Sequence, residues 1–397
     1  MNLSEKLRNM SLFILFLVVS ISVFIWFGGF RFFNQLPLPF VLRLALWASL
    51  LYALFFSPLL FYLRTLGQQG AFFDAMAWVG YLLMGTYSIL ICGVMARDLA
   101  SGLVSLFSLG SSKGHAAMAL PFVPARRGFL INGVNLAIAG GTATLAGLAL
   151  KGGLRAPEIV TVTHPAGHTG LQGLRIVQIS DLHISHTIRR SMVERVVSQI
   201  SELSPDIIVF TGDLADGSVS MLKDDVAPMA DLHAPMGKYF ITGNHEYYSG
   251  VHPWLNEISR LGFTVLLNSH RTLHYNGAPL VMAGVTDYHA GRLVPTHASS
   301  PKQALSGAPQ DAYRILLAHQ PLSFTEAKEE NCHLTLSGHT HGGQYLPYTW
   351  VIHMVQPWVA GLYEEEGHRL YINRGTGFWG PPFRLGSPSE ITLHLFS

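Results

Sequence analysis

Four long apolar runs occupy positions 11–30, 42–63, 72–95 and 128–150. About 20 apolar residues are what a helix needs to cross the hydrocarbon layer of a bilayer. Among open structures, only a helix satisfies its own backbone there. Three such runs in succession, nearly free of charge, do not suit a soluble core, so they read as membrane spans. The fourth, rich in Gly and Ala, suits close helix packing within a membrane. Residues 100–110 are apolar but short, and read as an interfacial helix or as the end of the third span. Lys6 and Arg8 ahead of the first run would fit a cleaved signal peptide. The later runs, and the lack of an obvious small-residue cleavage site, argue against that.

The rest of the chain has another character. Residues 1–155 carry 11 Lys/Arg and 3 Asp/Glu, residues 156–397 carry 15 and 21, and 18 of the 19 histidines follow residue 160. A basic membrane half and an acidic, His-rich half give no sign of nucleic-acid binding. Cys92 and Cys332 are not expected to pair and say nothing about redox compartment. From about residue 174, short β-branched runs alternate with polar helical segments. Strands are expected at 175–179, 206–210, 238–241, 263–267, 280–283, 313–317, 333–336, 369–372 and 390–395, and helices at 190–203 and 253–261. This pattern implies an α/β domain of two packed sheets flanked by helices. The expected organisation is a transmembrane region of about four spans over 1–150, a linker over 151–172, and the α/β domain over 173–397.

Five of these strands run into Asp, Asn or His at their C-terminal ends. Asp181 and His183 follow the first, Asp213 and Asp216 the second, and Asn244, His245 and Glu246 the third; His319 follows a fourth, and His339 and His341 a fifth. In α/β sheets, ligands gather beyond the carboxyl ends of strands. Asp, Asn and His together suit divalent Mn, Fe or Zn, and the lack of Cys argues against a structural zinc site. Asp181 and His183, two residues apart, can face one ion from an extended loop, as can His339 and His341. Seven ligands suffice for two ions if one carboxylate bridges. Such a pair clamps the attacking and leaving oxygens of a displacement at phosphorus.

The ordered set Asp-x-His, Gly-Asp, Gly-Asn-His-Glu, a lone His and Gly-His-x-His resembles the calcineurin-like metallophosphoesterase superfamily, over roughly residues 174–397. The resemblance implies that Asp181, His183, Asp213 and His341 hold a first metal. Asp213 would bridge, with Asn244, His319 and His339 completing a second site. His245 would not be a ligand; it would stabilise the phosphate or protonate the leaving oxygen, as suits an imidazole titrating near neutrality. Glu246 stands where many relatives have Asp and would lie behind the ligands. Asp216 either supports a ligand or caps a turn. The stretch from Gly338 to Gln344 and the turn Arg374-Gly375-Thr376-Gly377 look like the membrane-associated branch that includes Tat-exported phosphodiesterases.

The expectation is therefore a hydrolase of phosphomonoesters or phosphodiesters acting at the membrane with metal-activated water. A pyrophosphohydrolase of a nucleotide-linked lipid, such as UDP-diacylglucosamine, is the enzymatic rival. A catalytically inactive membrane scaffold or sensor is the rival of another class. Lys6 and Arg8 favour a cytoplasmic N-terminus, whereas Arg126 and Arg127, just before the last run, favour their own side. The second vote places the catalytic domain outside the cytoplasm. It requires an outside N-terminus or a further crossing near residues 97–118. The uncharged, aromatic stretch 345–362 after the last motif suits contact with membrane lipids or a lipid-linked substrate.

Overall fold

The computed structural model describes residues 19–56, 59, 70–110, 124–166 and 169–397. It divides into two units, Met1–Leu148 and Ala149–Ser397. In the first unit, residues 19–24 are α-helical and continue into a π-helical stretch, Ile25–Phe30. Helix α1 (Phe40–Leu51) likewise continues as a π turn, Tyr52–Phe56. Helix α2 covers Ala71–Gly110 and α3 Pro124–Gly153. Phe32, Phe33, Leu50, Tyr87, Leu90 and Val94 form an apolar cluster where the earlier segments meet α2. Helices α2 and α3 run antiparallel: Gly93 faces Ile138, and four residues on Arg97 bonds Asn135. Arg97 also reaches Asp98 at 2.8 Å and the carbonyl of Arg31, and Arg31 Nε lies 2.7 Å from Asp98.

Two helical segments, Ala71–Phe107 and Ile131–Gly153, are long and apolar enough to cross a membrane, and Phe40–Phe56 is a shorter apolar helix. The first and second expected spans, and the end of the stretch 97–118, lie partly outside the described residues. Residues 97–110 continue α2 without a break, so no separate crossing begins at 97 in this part of the chain.

The second unit is built on two six-stranded sheets. The first has the order β1-β12-β2-β3-β4-β5. Its strands are β1 (Glu158–His164), β2 (Arg175–Ile179), β3 (Ile207–Phe210), β4 (Lys238–Phe240), β5 (Thr264–Val265) and β12 (Glu390–Phe396). The second has the order β10-β11-β9-β8-β7-β6. Its strands are β6 (Ser269–Tyr275), β7 (Ala278–Gly284), β8 (Tyr313–Leu317), β9 (Leu334–Ser337), β10 (Gly361–Glu365) and β11 (His368–Ile372). Strands β2 to β5 are mutually parallel, as are β7, β8 and β9.

The period-2 alternation of strands sorts the core. Ile176, Ile207 and Val209 of the first sheet meet Leu280, Ile315, Leu317, Leu334 and Leu336 of the second. The intervening Val177, Ile179, Ile208 and Phe210 face helix α4 (Arg190–Glu202), which buries Met192, Val193, Val196, Val197 and Ile200. Those spacings trace one face of a 3.6-residue helix. On the outer face of the second sheet, Val281, Ala283 and Leu316 pack with Ala304, Ala327 and Cys332.

Two expectations need correction. The stretch 151–172 is not simply a linker: it contains β1, paired in parallel with β12 from Glu158 opposite Glu390 to His164 opposite Phe396. Much of β1 is solvent-exposed, which left Ile159, Val160 and Val162 too isolated among polar residues to read as a strand. Strands β6 and β10 were also unanticipated, for the same reason: both lie at sheet edges and alternate polar with half-buried residues.

Candidate metal centre

Parallel strands from both sheets end on one region. From the first sheet, β2 delivers Asp181 and His183, β3 delivers Asp213 and Asp216, and β4 leads into helix α5 (Asn244–Ser249) with Asn244, His245 and Glu246. From the second, β8 ends at His319, and β9 at His339 and His341. The backbone there is unusual. Asp181, His183, Asp213, His339 and His341 all have φ between +50° and +72°, a region that non-glycine residues seldom adopt. Strain of this kind concentrates where a side chain must be aimed. Gly212, at φ +92°, makes the crossing possible, because a Cβ there would lie 2.5 Å from the Gly243 nitrogen and 2.8 Å from His319 Nδ1.

Two His/Asp groups result. Asp181, His183 and His341 converge in one, and Asp213, His319 and His339 in the other, with His183, Asp213 and His245 linking them. Asp213 Oδ2 is 3.2 Å from His319 Nε2 and 3.8 Å from His183 Nε2, so one carboxylate oxygen faces both groups. Asn244 Oδ1 lies 3.2 Å from His319 Nε2, and His339 Nδ1 lies at the same distance from that nitrogen. His183 and His341 bring their Nε2 atoms to 3.1 Å.

Several imidazoles are held from behind. His183 Nδ1 donates to Asp216 at 3.0 Å and His319 Nδ1 to the Thr211 carbonyl at 2.7 Å. Their Nε2 lone pairs are left facing inward, the orientation that outer hydrogen bonds impose on metal-binding histidines. His341 is held by Arg384, whose buried guanidinium contacts its Nδ1 at 3.0 Å and its carbonyl at 2.9 Å. The Asp181 carboxylate accepts the His339 N–H at 3.0 Å. Glu246 accepts the N–H groups of Gly243, Asp213 and Leu214 at 2.7–3.0 Å, bracing the loop that carries Asp213. The Glu at this position thus caps its own helix and fixes the neighbouring loop at once.

The electrostatics fit a cation site. Asp181 and Asp213 are buried, and imidazoles stand within 4.0 Å of both carboxylates. For Asp213, burial opposes the charge, but His319, His245 and His183 hold the carboxyl well below its usual range. Asp181 lacks enough positive charge, and burial pushes its carboxyl up. His339 is lowered to about 3 by burial and by His319. Burial also holds His341 well below its ordinary value, and a buried set of carboxylates and imidazoles of this kind matches what divalent metals take as ligands.

His245 stands apart. Its Nδ1 is 2.6 Å from Asp216 and its Nε2 is 3.9 Å from Asp213 Oδ2. Burial lowers its affinity for a proton, but Asp216 and Asp213 outweigh that and lift it to about 10. Asp216 thereby holds His183 and His245 through one oxygen, and is itself kept well below the usual carboxylate range by those rings, against burial. Tyr248 and Trp379 close on the His245 ring edge-on, at 5.4 and 5.6 Å between centroids. Tyr248 sits three residues after His245, a helical spacing that could have flagged it. Arg384 carried no sequence signal.

The comparisons with known proteins agree with this geometry. A family model described as calcineurin-like phosphoesterase matches residues 174–343. The chain is 38% identical over 261 residues to a Danio rerio protein named transmembrane protein with metallophosphoesterase domain, an alignment covering 63% of this chain and 60% of that one. It is 33% identical over 327 residues to the Bos taurus protein of the same name, covering 79% and 72%. An uncharacterized metallophosphoesterase of Aquifex aeolicus is 34% identical over 223 residues, covering 55% of this chain and 84% of that one. With strand-end motifs, a carboxylate facing both His groups and these relatives in agreement, the chain belongs to the calcineurin-like metallophosphoesterase family.

Proposed function

We propose that this chain is a membrane-anchored hydrolase of phosphoric esters, with a centre that takes two divalent ions. The observation that carries the proposal is the position of Asp213 Oδ2 between His183 and His319. In this reading Asp181, His183, Asp213 and His341 hold one ion, and Asp213, Asn244, His319 and His339 the other. Such ions would neutralise charge on the phosphoryl oxygens and acidify water. The chain's own residues do the rest. Asp216 fixes His245 by its Nδ1, which leaves Nε2–H free to donate to the departing oxygen. Trp379 and Tyr248 wall the ring from water, and Glu246 and Arg384 keep the two halves of the ligand set in register.

The same reading places the catalytic domain outside the cytoplasm, acting on a membrane-proximal or lipid-linked phosphate ester. Support comes from the charges gathered where α2 and α3 meet. Arg31 and Arg97 share one polar cluster with Asn135, near the start of the apolar segment Ile131–Gly153 of α3, and Arg126 and Arg127 precede it. Positive residues stay on the cytoplasmic side, and α3 leads away from them to the domain. Lys6 and Arg8 weigh against this.

The test is Asp213→Asn in the full chain. The variant should keep its fold by circular dichroism, lose bound metal by elemental analysis, and lose turnover of aryl and alkyl phosphoesters supplied with Mn²⁺. Two metals per chain with normal turnover would remove the bridging role and the mechanism with it.

A further inference from the structure

Helix α9 (Tyr348–Val355) follows the last His motif and buries none of its residues. Thr349 and Ile352 pack against Gly343. The other side presents Trp350, Val351, Met354 and Val355, and Met354 is 76% and Trp350 60% exposed. Positions 350, 351, 354 and 355 fall on one helical face. Residues 345–362 contain no Asp, Glu, Lys or Arg. A soluble surface would scatter such side chains; a contiguous apolar face of this kind marks a contact.

What lies beside the helix identifies the contact. Within the second unit, residues 149–153 form the last turn of α3, the span-length apolar helix. That turn packs on the chain at 382–384: Ala149 O accepts the Arg384 N–H at 2.8 Å, and Gly152 and Gly153 lie against the Arg384 and Pro382 carbonyls so closely that a Cβ would collide. Phe383 then meets the Tyr345 ring at 5.3 Å, and Tyr345 meets Tyr348, the first residue of α9, at 5.2 Å. The exposed helix is therefore two ring contacts from the point where α3 enters the domain. On the other side, Gln344 binds both backbone groups of Trp379, the residue against His245.

We infer that α9 lies in the outer boundary of the bilayer, with Trp350, Val351, Met354 and Val355 buried among lipid chains. It thereby fixes the metal centre at the membrane surface. The inference rests on α3 being a membrane span. It commits to lipid because the end of that helix lies two ring contacts from this face and because Trp and Tyr favour the interfacial layer. Interfacial helices of this type sit about 5–10 Å into the headgroup and acyl boundary.

The experiment uses the full chain in phosphatidylcholine vesicles, with Cys92→Ala and Cys332→Ala removing native thiols. Met354→Cys and, as a control, Glu202→Cys carry an environment-sensitive fluorophore. Lipid-borne bromines should quench the label at 354 and leave the one at 202 to aqueous iodide. In the otherwise native chain, Trp350→Phe should lower the share of tryptophan emission quenched by brominated lipid. Iodide quenching alone at 354 overturns the inference. So does a label shielded from both quenchers that cross-links to a second copy, which would make the face a protein contact. Release of the chain from vesicles by alkaline carbonate would instead sink the span on which the inference rests, while leaving the phosphoesterase reading intact.

Discussion

Replacing Asp216 by Asn keeps the shape of the side chain and removes its charge. In the structure one Asp216 oxygen holds two imidazoles, His183 at 3.0 Å and His245 at 2.6 Å. A hydrogen bond to a charged partner contributes about 1.5–3 kcal/mol and a neutral one about 0.5–1.5. The substitution therefore removes about 1–2 kcal/mol from each ring's support. Each 1.36 kcal/mol is about tenfold in rate or affinity, so if the two losses add to about 2–4 kcal/mol, kcat/KM should fall roughly 30- to 900-fold, more than the ~10- to 100-fold expected when one partner behind a metal ligand is lost. The loss should also have a direction in pH. Asp216 raises the proton affinity of His245, so without its charge the imidazole deprotonates at lower pH, and the alkaline limb of the kcat/KM profile should move down. The assay is a pH–rate profile on an aryl phosphoester with metal in excess, beside a metal titration. A variant with unchanged metal affinity and an unmoved alkaline limb would refute the idea that Asp216 couples ligand and acid.

Three further outcomes are expected. His245→Ala should slow alkyl phosphoesters about 10²–10⁴-fold and aryl esters less, because good leaving groups need less protonation; equal losses would leave His245 only an electrostatic role. Beyond the site, His164 Nε2 bonds His394 Nδ1 at 2.9 Å, His394 Nε2 bonds Gln178, and His164 Nδ1 has no partner among the described residues. Burial lowers His164 to about 4 and His394 well below its ordinary value, so the unfolded chain binds protons that the folded one refuses. Stability should fall as pH drops from about 6.5 towards 4, by about 3 kcal/mol for His164. Denaturation midpoints across that window should flatten in His164→Leu/His394→Leu, and an identical slope would mean that other groups carry the effect. A C-terminal alkaline phosphatase fusion should be active and a C-terminal fluorescent protein dark if the domain faces outward; the reverse pattern would place it in the cytoplasm.

The parts of this fold that were legible were those in which a few adjacent residues carry the information. Strands β2 and β8 coincide with the expected 175–179 and 313–317, since each is a buried apolar run bounded by turns. The seven proposed ligands share that advantage, because each lies within four residues of one of five strand ends. Asp216 was undecidable, since an Asp six residues past the end of β3 more often ends a turn than supports a ligand. Its significance arises only when β2 and β4 bring His183 and His245 to it. Arg384 was illegible for a stronger reason: it acts on His341, 43 residues away, from a Gly- and Pro-rich stretch without periodicity. The edge strands β1, β6 and β10 escaped because water on one side blurs the hydrophobic alternation on which such reading depends.

Arg384 has a consequence for inheritance and engineering. Its backbone N–H is bound to the last turn of α3 and its guanidinium to His341, so one residue is answerable both to the apolar helix and to a histidine of the candidate site. The two glycines of that turn have no room for a side chain against the 382–384 backbone. A substitution at Gly152 or Gly153 would push on the residue that steadies His341, and a loss-of-function screen would recover it although it never meets substrate. A domain cut free within β1 would lose half of an edge strand as well as this brace. The boundary that looks most natural for freeing the domain thus cuts a contact that reaches the candidate site.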